Sequence, residues 1–193
     1  MQMAPGRMNI LAIPGSLRAS SINAAFCRVL THCAPVSVTV DVFPGLGGMP
    51  LFNPDLEEVP PAQVVDFRAA VGRAHALIIA SPEYAHGIPG AMKNALDWLV
   101  SFEGTVDKPV ALINTSPRAH HAYDSLREVL RTMSTRIIES ASLSIPLLGV
   151  HASEVAMRAD AGVCQVARQM IHAIDRHVSG HAVESPVFPM AYQ

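Results

Sequence analysis

The chain has 193 residues, half of them apolar and only 16% charged, which is enough for one domain with a substantial core. That composition excludes an intrinsically disordered chain. A net charge of −2, with acids and bases mixed along the sequence, argues against a broad basic face and hence against nucleic acid as a partner. It leaves room for a pocket that holds one small anion.

Residues 8–13 form a short apolar run stopped by Pro14-Gly15 and read as strand 1. No apolar run reaches the roughly 18 residues of a membrane helix, so no membrane partner is expected. The first run leads into Gly15-Ser16-Leu17-Arg18 rather than a small-residue cleavage site, so it is not read as a signal core and a cytoplasmic location is expected. Residues 21–33 carry Ile22, Phe26, Val29 and Leu30 at helical spacing. Val36, Val38, Val40 and Val42 alternate with Ser37, Thr39 and Asp41, the pattern of a half-exposed strand at a sheet edge. Residues 43–61, rich in Pro and Gly, read as a long loop. A helix follows over 63–74. Residues 76–80 are apolar without alternation, as in a central strand covered on both faces.

After a loop at 81–88, a helix is predicted to open at Pro89, where the missing N–H costs nothing, and to run to about Val100. Residues 110–114 read as strand 4 and 123–133 as the next helix. Residues 136–139, with 144–147 as a second candidate, supply strand 5. The last helix covers 161–178, and 181–193 is a Pro-containing tail suited to packing on a partner subunit. Strands alternating with helices predict one domain over 1–193 with its core at 8–180. The expected fold class is α/β: a flavodoxin-like three-layer α/β/α sandwich with a five-stranded parallel sheet in the order 2-1-3-4-5. In that order strands 1 and 3 are neighbours whose connections leave to opposite faces, and a ligand belongs beyond their C-terminal ends. The three cysteines, Cys27, Cys33 and Cys164, have no CxxC spacing and read as buried thiols in a reducing compartment.

The first loop at that crevice is Pro14-Gly15-Ser16-Leu17-Arg18-Ala19-Ser20-Ser21-Ile22-Asn23. It joins a buried strand to a helix N-terminus, where unpaired N–H groups and the helix dipole favour an anion. Gly15 lets the backbone come close, Ser16, Ser21 and Asn23 offer donors, and Arg18 is the one full charge, with a fork suited to phosphate oxygens. The loop is neither GxGxxG nor Walker A, which argues against a dinucleotide fingerprint or an NTPase. Plainer roles stand beside these: Ser21 as a helix cap and Arg18 as a solvated side chain.

The second loop, Ser81-Pro82-Glu83-Tyr84-Ala85-His86-Gly87-Ile88-Pro89-Gly90, has a stiff path and an approachable backbone, as a wall against a flat heteroaromatic ring requires. Tyr84 either packs on such a ring or is an ordinary half-buried aromatic. Glu83 suits a structural acceptor better than a catalyst, and His86 either tunes the site or is solvated. In the helix that follows, Lys93 and Asp97 have the spacing of an i,i+4 pair, and Trp98 belongs to the core or an interface.

At these two loops the sequence resembles the NADPH-dependent FMN reductase family, which includes related quinone, azo-dye and chromate reductases. The family pattern G-S-x-R-x-x-S-x-N is matched by Gly15, Ser16, Arg18, Ser21 and Asn23. The pattern P-E-Y-N-x-x-x-P-G-x-L-K-N-A-x-D-W is matched by Pro82, Glu83, Tyr84, Pro89, Gly90, Lys93, Asn94, Ala95, Asp97 and Trp98. The resemblance implies FMN as cofactor, with its phosphate at Ser16, Arg18, Ser21 and Asn23 and its ring and ribityl chain along Pro82, Glu83 and Tyr84. It implies NADPH or NADH as hydride donor and a small-molecule acceptor: a quinone, an azo compound, a metal oxyanion or free flavin. It also implies a homodimer or homotetramer.

There are departures. Ala85 stands where the family usually has Asn, and Ser116-Pro117-Arg118-Ala119-His120-His121 replaces a glycine-rich turn that meets the flavin ring in many relatives. Pro117 removes one backbone donor there. Ser116 and Arg118 are then the candidates at the ring, Arg118 reaching either the flavin's pyrimidine edge or a pyridine-nucleotide phosphate. The cofactor carries the chemistry, so no residue is assigned a catalytic role. No G-x-S-x-G elbow or HExxH motif is found, and the adjacent His120-His121 lack the helical spacing of metal ligands. Two other readings remain: a flavin-binding electron carrier without pyridine-nucleotide activity, and a sensor or scaffold module that has lost reductase activity.

Overall fold

The structure is a computed structural model and describes residues 7–116, 120–147 and 153–180. Strands β1 (Met8–Pro14), β2 (Val38–Val42), β3 (Ala76–Ala80) and β4 (Pro109–Asn114) are joined by β5 (Arg136–Ile137) and β6 (Leu143–Ser144). All pairs are parallel, in the order β2-β1-β3-β4-β5, with β6 also on β4. This is the expected flavodoxin-like order. Helices α1 (Ile22–Cys33), α5 (Glu154–Ala159) and α6 (Ala161–Val178) cover one face, and α2 (Ala62–Arg73), α3 (Gly90–Asp97) and α4 (His120–Thr132) cover the other.

The apolar runs divide between these faces by the two-residue period of a strand. In β1, Ile10 and Ala12 enter the core under α1 and α6, while Leu11 and Ile13 enter the core under α2 and α3. β3 does the same, with Ala76, Ile78 and Ala80 on one side and Leu77 and Ile79 on the other, all buried. β2 is an edge strand, as its alternation predicts. It begins at Val38 rather than Val36, because Val38 closes a turn onto the Pro35 carbonyl (2.9 Å) and leaves Val36 outside, 92% exposed.

The expected fifth strand is instead two two-residue strands on the free edge of β4, β5 against Pro109 and Val110 and β6 against Ile113 and Asn114. Between them the chain makes a 3₁₀ turn, Glu139–Ala141. There the Leu112 N–H of β4 donates to the Ser142 hydroxyl (3.1 Å), so a side chain takes the place of a ladder carbonyl.

The ends of α1, α2 and α6 agree with expectation to within one residue, and α3 and α4 depart from it. Pro89 caps α3 from outside, with ψ at 138°, so the helix starts at Gly90, and it ends at Asp97 where the buried Trp98 turns the chain. α4 begins three residues early, at His120, because a carboxylate from another loop satisfies its first turn. α5 was not anticipated: six residues are too few to display a period. The long loop 43–61 contains two short 3₁₀ turns, Leu46–Gly48 and Pro54–Leu56.

Cys27, Cys33 and Cys164 are free and buried. Burial pushes the Cys27 thiol up to about 12, and burial together with the neighbouring Cys164 thiol pushes Cys33 up to about 11. Both are packing residues held as thiols. Among the described residues no helix is long and apolar enough to cross a membrane.

Candidate functional site

The two loops lie side by side at the C-terminal ends of β1 and β3. The Gly15 N–H donates to the Ala80 carbonyl (2.8 Å), carrying the ladder one step past the strands. A Cβ on residue 15 would stand 2.9 Å from Ser81 Oγ and 3.2 Å from Ser81 Cα, so only glycine permits this approach. One step further, Ser16 Oγ and the Tyr84 hydroxyl share a hydrogen bond at 3.2 Å.

Asn23 is buried in the first turn of α1, where its Oδ1 accepts from Thr115 Oγ1 (3.0 Å) at the end of β4. A cavity of about 230 Å³ opens over this pair, lined by Asn23, by Ser81, Pro82 and Glu83, and by Asn114, Thr115 and Ser116. Ser21 has the plainer role as well: its hydroxyl accepts from the Ala24 N–H (3.2 Å) as the N-cap of α1. The N–H groups of Ile22 and Asn23 have no acceptor within the helix, and they point out of its positive end.

Arg18 lies apart from this cavity. It is exposed and borders a separate hollow of about 500 Å³ on the β2 side of the loop. Ser116 is brought to the 230 Å³ cavity, its N–H turned back to Asn114 Oδ1 (3.0 Å). Arg118 lies outside the described residues, as do Pro117, Ala119 and the tail at 181–193.

The second loop is pinned at its tip. Tyr84 and Gly87 exchange both backbone hydrogen bonds (3.1 and 3.0 Å) around Ala85 and His86, which stand at φ 50° and 59°. Two consecutive left-handed residues suit Asn and Gly, and cost roughly 1–2 kcal/mol each for other side chains. The Ala85 departure therefore acts on backbone conformation as well as on side-chain contact.

Glu83 and His86 hold the strained turn. Glu83 Oε2 accepts from the Ala122 N–H of α4 (3.0 Å), and Oε1 meets His86 Nδ1 (3.1 Å). The His86 ring stands edge-on to His121 (4.5 Å between centroids, 86° between planes), and His121 packs on His120. The Ala122 N–H is the main cause holding the Glu83 carboxyl below its usual range, and His121 and His86 add to it against partial desolvation. A depressed carboxyl contributes stability that is present above the ordinary carboxylate range and is lost as pH falls through the lowered value. The protection factors of the Ala122 and Gly87 amides, taken against the intrinsic rate at each pH, should accordingly be high at neutral pH and fall in acid. Glu83→Gln should show low protection throughout, and equal protection in both proteins at neutral pH would refute the latch.

The rest of the second motif is structural. Asn94 donates to the Pro50 carbonyl (2.9 Å) and accepts from the Phe52 N–H (2.8 Å), and Trp98 Nε1 donates to the same Pro50 carbonyl (2.9 Å). Lys93 and Asp97 form the expected pair at 2.5 Å, exposed and worth a few tenths of a kcal/mol. Sequence reasoning did not single out Ser81, Asn114 and Thr115. The available signal was the polar end, Asn114-Thr115-Ser116, of an otherwise apolar strand beside the crevice.

A parallel sheet of this order, with its crevice between the β1 and β3 loops, defines a flavodoxin-like α/β protein. Within that class the chain belongs to the NADPH-dependent FMN reductase family, which matches residues 8–147. It is 36% identical over 114 residues to a quinone reductase of Escherichia coli, covering 57% of this chain and 60% of that protein. It is 34% identical over 116 residues to an NAD(P)H-dependent FMN reductase of Pseudomonas aeruginosa, covering 56% of this chain and 60% of that protein. The matches thus span about three fifths of these relatives' length. Among solved structures, the flavoenzyme NAD(P)H:(acceptor) oxidoreductase FerB from Paracoccus denitrificans has a TM-score of 0.69 at 24% identity, over 88% of this chain and 98% of its own. An NADH:FMN oxidoreductase has a TM-score of 0.57 at 21% identity, over 92% and 91%. At those identities the likeness establishes the fold.

Proposed function

We propose that this protein binds FMN at the C-terminal ends of β1 and β3 and passes hydride from NADPH or NADH to a small acceptor, a quinone foremost. The observation that carries the reading is the junction of the two loops: Gly15 against Ser81 and Ser16 bonded to Tyr84, beside the open N-terminus of α1. The donor set fits a phosphate ester, with the Ile22 and Asn23 N–H groups at the helix end, the Ser16 hydroxyl, and the Arg18 guanidinium as counter-charge. Ser21 holds that helix end in place as its cap.

When bound, the flavin supplies the two-electron chemistry. Pro82 and Glu83 form one wall for it and Ser116 the other, with Tyr84 bonded to Ser16 beside them. Glu83, committed to Ala122 and His86, keeps that wall in position and takes no part in proton transfer. Tyr84, 54% exposed with its hydroxyl fixed by Ser16, presents its ring toward the open side where donor and acceptor alternate. A cavity of about 230 Å³ is below the ~300–1,000 Å³ of sites that enclose a whole ligand, which suits a flavin left open to its acceptor. On this reading the protein is cytoplasmic and a homodimer or homotetramer, with Leu51, Val59 and Val100 giving subunits exposed apolar surface to cover.

The test is anaerobic. Protein and FMN are mixed with NADPH or NADH, and the visible flavin band is followed. Protein-dependent bleaching is expected, with turnover on addition of a quinone. Binding of FMN without bleaching would turn the reading to an electron carrier or sensor, and failure to bind FMN would end it.

A further inference from the structure

Away from the crevice, two thiols meet between helices. α1 ends at Cys33, and α6 packs on α1 with Cys164 in its first turn. The Cys33 thiol is hydrogen-bonded to Cys164. The Cys164 thiol donates to the Arg158 carbonyl of α5 (3.5 Å), so three helices come together at one pair of sulfurs. With about 1.5 Å of rise per residue, Cys33 stands roughly 16 Å along α1 from Ile22, the end that opens on the crevice.

The third cysteine provides a contrast within the same helix. Cys27 is 0% exposed and touches neither of the others, whereas Cys33 and Cys164 are each 8% exposed and stay open to a small oxidant. Burial and the bond to Cys164 raise the Cys33 thiol, while Arg168 and Arg158 pull it the other way. It packs as a thiol for as long as its neighbour is one. Packing asks only for a small apolar side chain at each position, and does not require two sulfurs in contact across two helices.

We propose that Cys33 and Cys164 are an oxidisable pair, which hydrogen peroxide converts to a disulfide tying α1 to α6. With Cys33 held protonated, the first attack falls to Cys164. Its thiolate attacks one peroxide oxygen, the O–O bond breaks, and the departing hydroxide takes up the thiol proton as water, leaving a sulfenic acid. Cys33 then attacks the Cys164 sulfur. The S–S bond forms, the S–O bond breaks, and the hydroxyl leaves with the Cys33 proton as a second water. Two thiols lose two electrons, and one peroxide is reduced to two waters. The contact between the sulfurs makes the second step intramolecular, so it outruns attack by a free thiol.

The whole folded chain, reduced and freed of reductant, is treated with a small excess of hydrogen peroxide and then unfolded in N-ethylmaleimide. Intact mass and a non-reducing peptide map are read. All three cysteines should be alkylated before the treatment and Cys27 alone after it, with one crosslinked peptide pair carrying Cys33 and Cys164. Dithiothreitol should restore all three thiols. Cys164→Ser should abolish the crosslink and leave Cys33 open to alkylation after the same dose. The peptide map of the unsubstituted chain decides by itself if that variant fails to fold. Three free thiols after peroxide, oxygen adducts on Cys33 and Cys164 without a crosslink, or a link that joins Cys27 or two separate chains would each overturn the pair.

Discussion

Replacing Arg18 with alanine is expected to weaken FMN by about 10- to 100-fold while leaving riboflavin within about twofold. The difference arises because riboflavin lacks the phosphate. A hydrogen bond to a charged group is worth ~1.5–3 kcal/mol, and the remaining donors, the Ile22 and Asn23 N–H groups and the Ser16 hydroxyl, are neutral. Arg18 is exposed and has no partner among the described residues, so its removal leaves no orphaned group and should not move the unfolding midpoint. Quenching of flavin fluorescence on binding provides both affinities. Equal losses for FMN and riboflavin would mean that Arg18 shapes the loop instead of meeting the phosphate. An unchanged FMN affinity would remove Arg18 from the phosphate site.

Trp98→Ala should lower stability by about 3–5 kcal/mol, the cost of an aromatic deletion that leaves a cavity. The ring is fully buried, edge-on to Phe52 at 5.1 Å, with the Arg68 guanidinium 5.9 Å from its centroid. The indole N–H and the Asn94 amide hold the same Pro50 carbonyl, so the 50–52 segment is tied to α3 twice. Trp98→Phe should cost much less, because most of the volume returns and Asn94 still satisfies Pro50. Urea unfolding followed by far-UV circular dichroism measures all three proteins, since the chain has no other tryptophan to report fluorescence. A cost below about 1 kcal/mol for Trp98→Ala would contradict the packing account.

Both predictions draw on motifs visible in the amino-acid order, but in unequal ways. The first motif is contiguous, with Gly15, Ser16, Arg18, Ser21 and Asn23 on one strand-to-helix loop, yet the fold sends Arg18 to a different hollow from Asn23. The second motif reads as one continuous pattern yet divides by function. Pro82 and Glu83 line the crevice and Tyr84 bonds Ser16 beside it, while Asn94 and Trp98 turn away to hold Pro50, which is more than forty positions earlier. A pattern cannot separate these groups, because the division depends on which face of α3 meets which loop.

Period and composition were enough for the longer elements. Unbroken apolar runs marked β1 and β3 as central strands, valine alternation marked β2 as an edge, and the span of α6 follows from its apolar period and the Asp160 cap, whose carboxylate accepts from the Gly162 and Val163 N–H groups. With those elements the order 2-1-3-4-5 and the position of the crevice follow from the rules of right-handed crossover connections. Tertiary contacts decided the remainder. The Ser142 hydroxyl, by taking a ladder position from the backbone, broke the fifth strand in two. The Glu83 carboxylate satisfied an N–H in the first turn of α4, and α4 starts three residues earlier than its apolar period indicates. Asn23 found Thr115 across 92 positions of sequence, and Arg18, a few residues from Asn23, came to border a different hollow. Each of these rests on a polar side chain bonding to a group remote in the chain. A hydrophobic period places backbone segments relative to the core, but it carries no information about where a side-chain oxygen or guanidinium finds its partner.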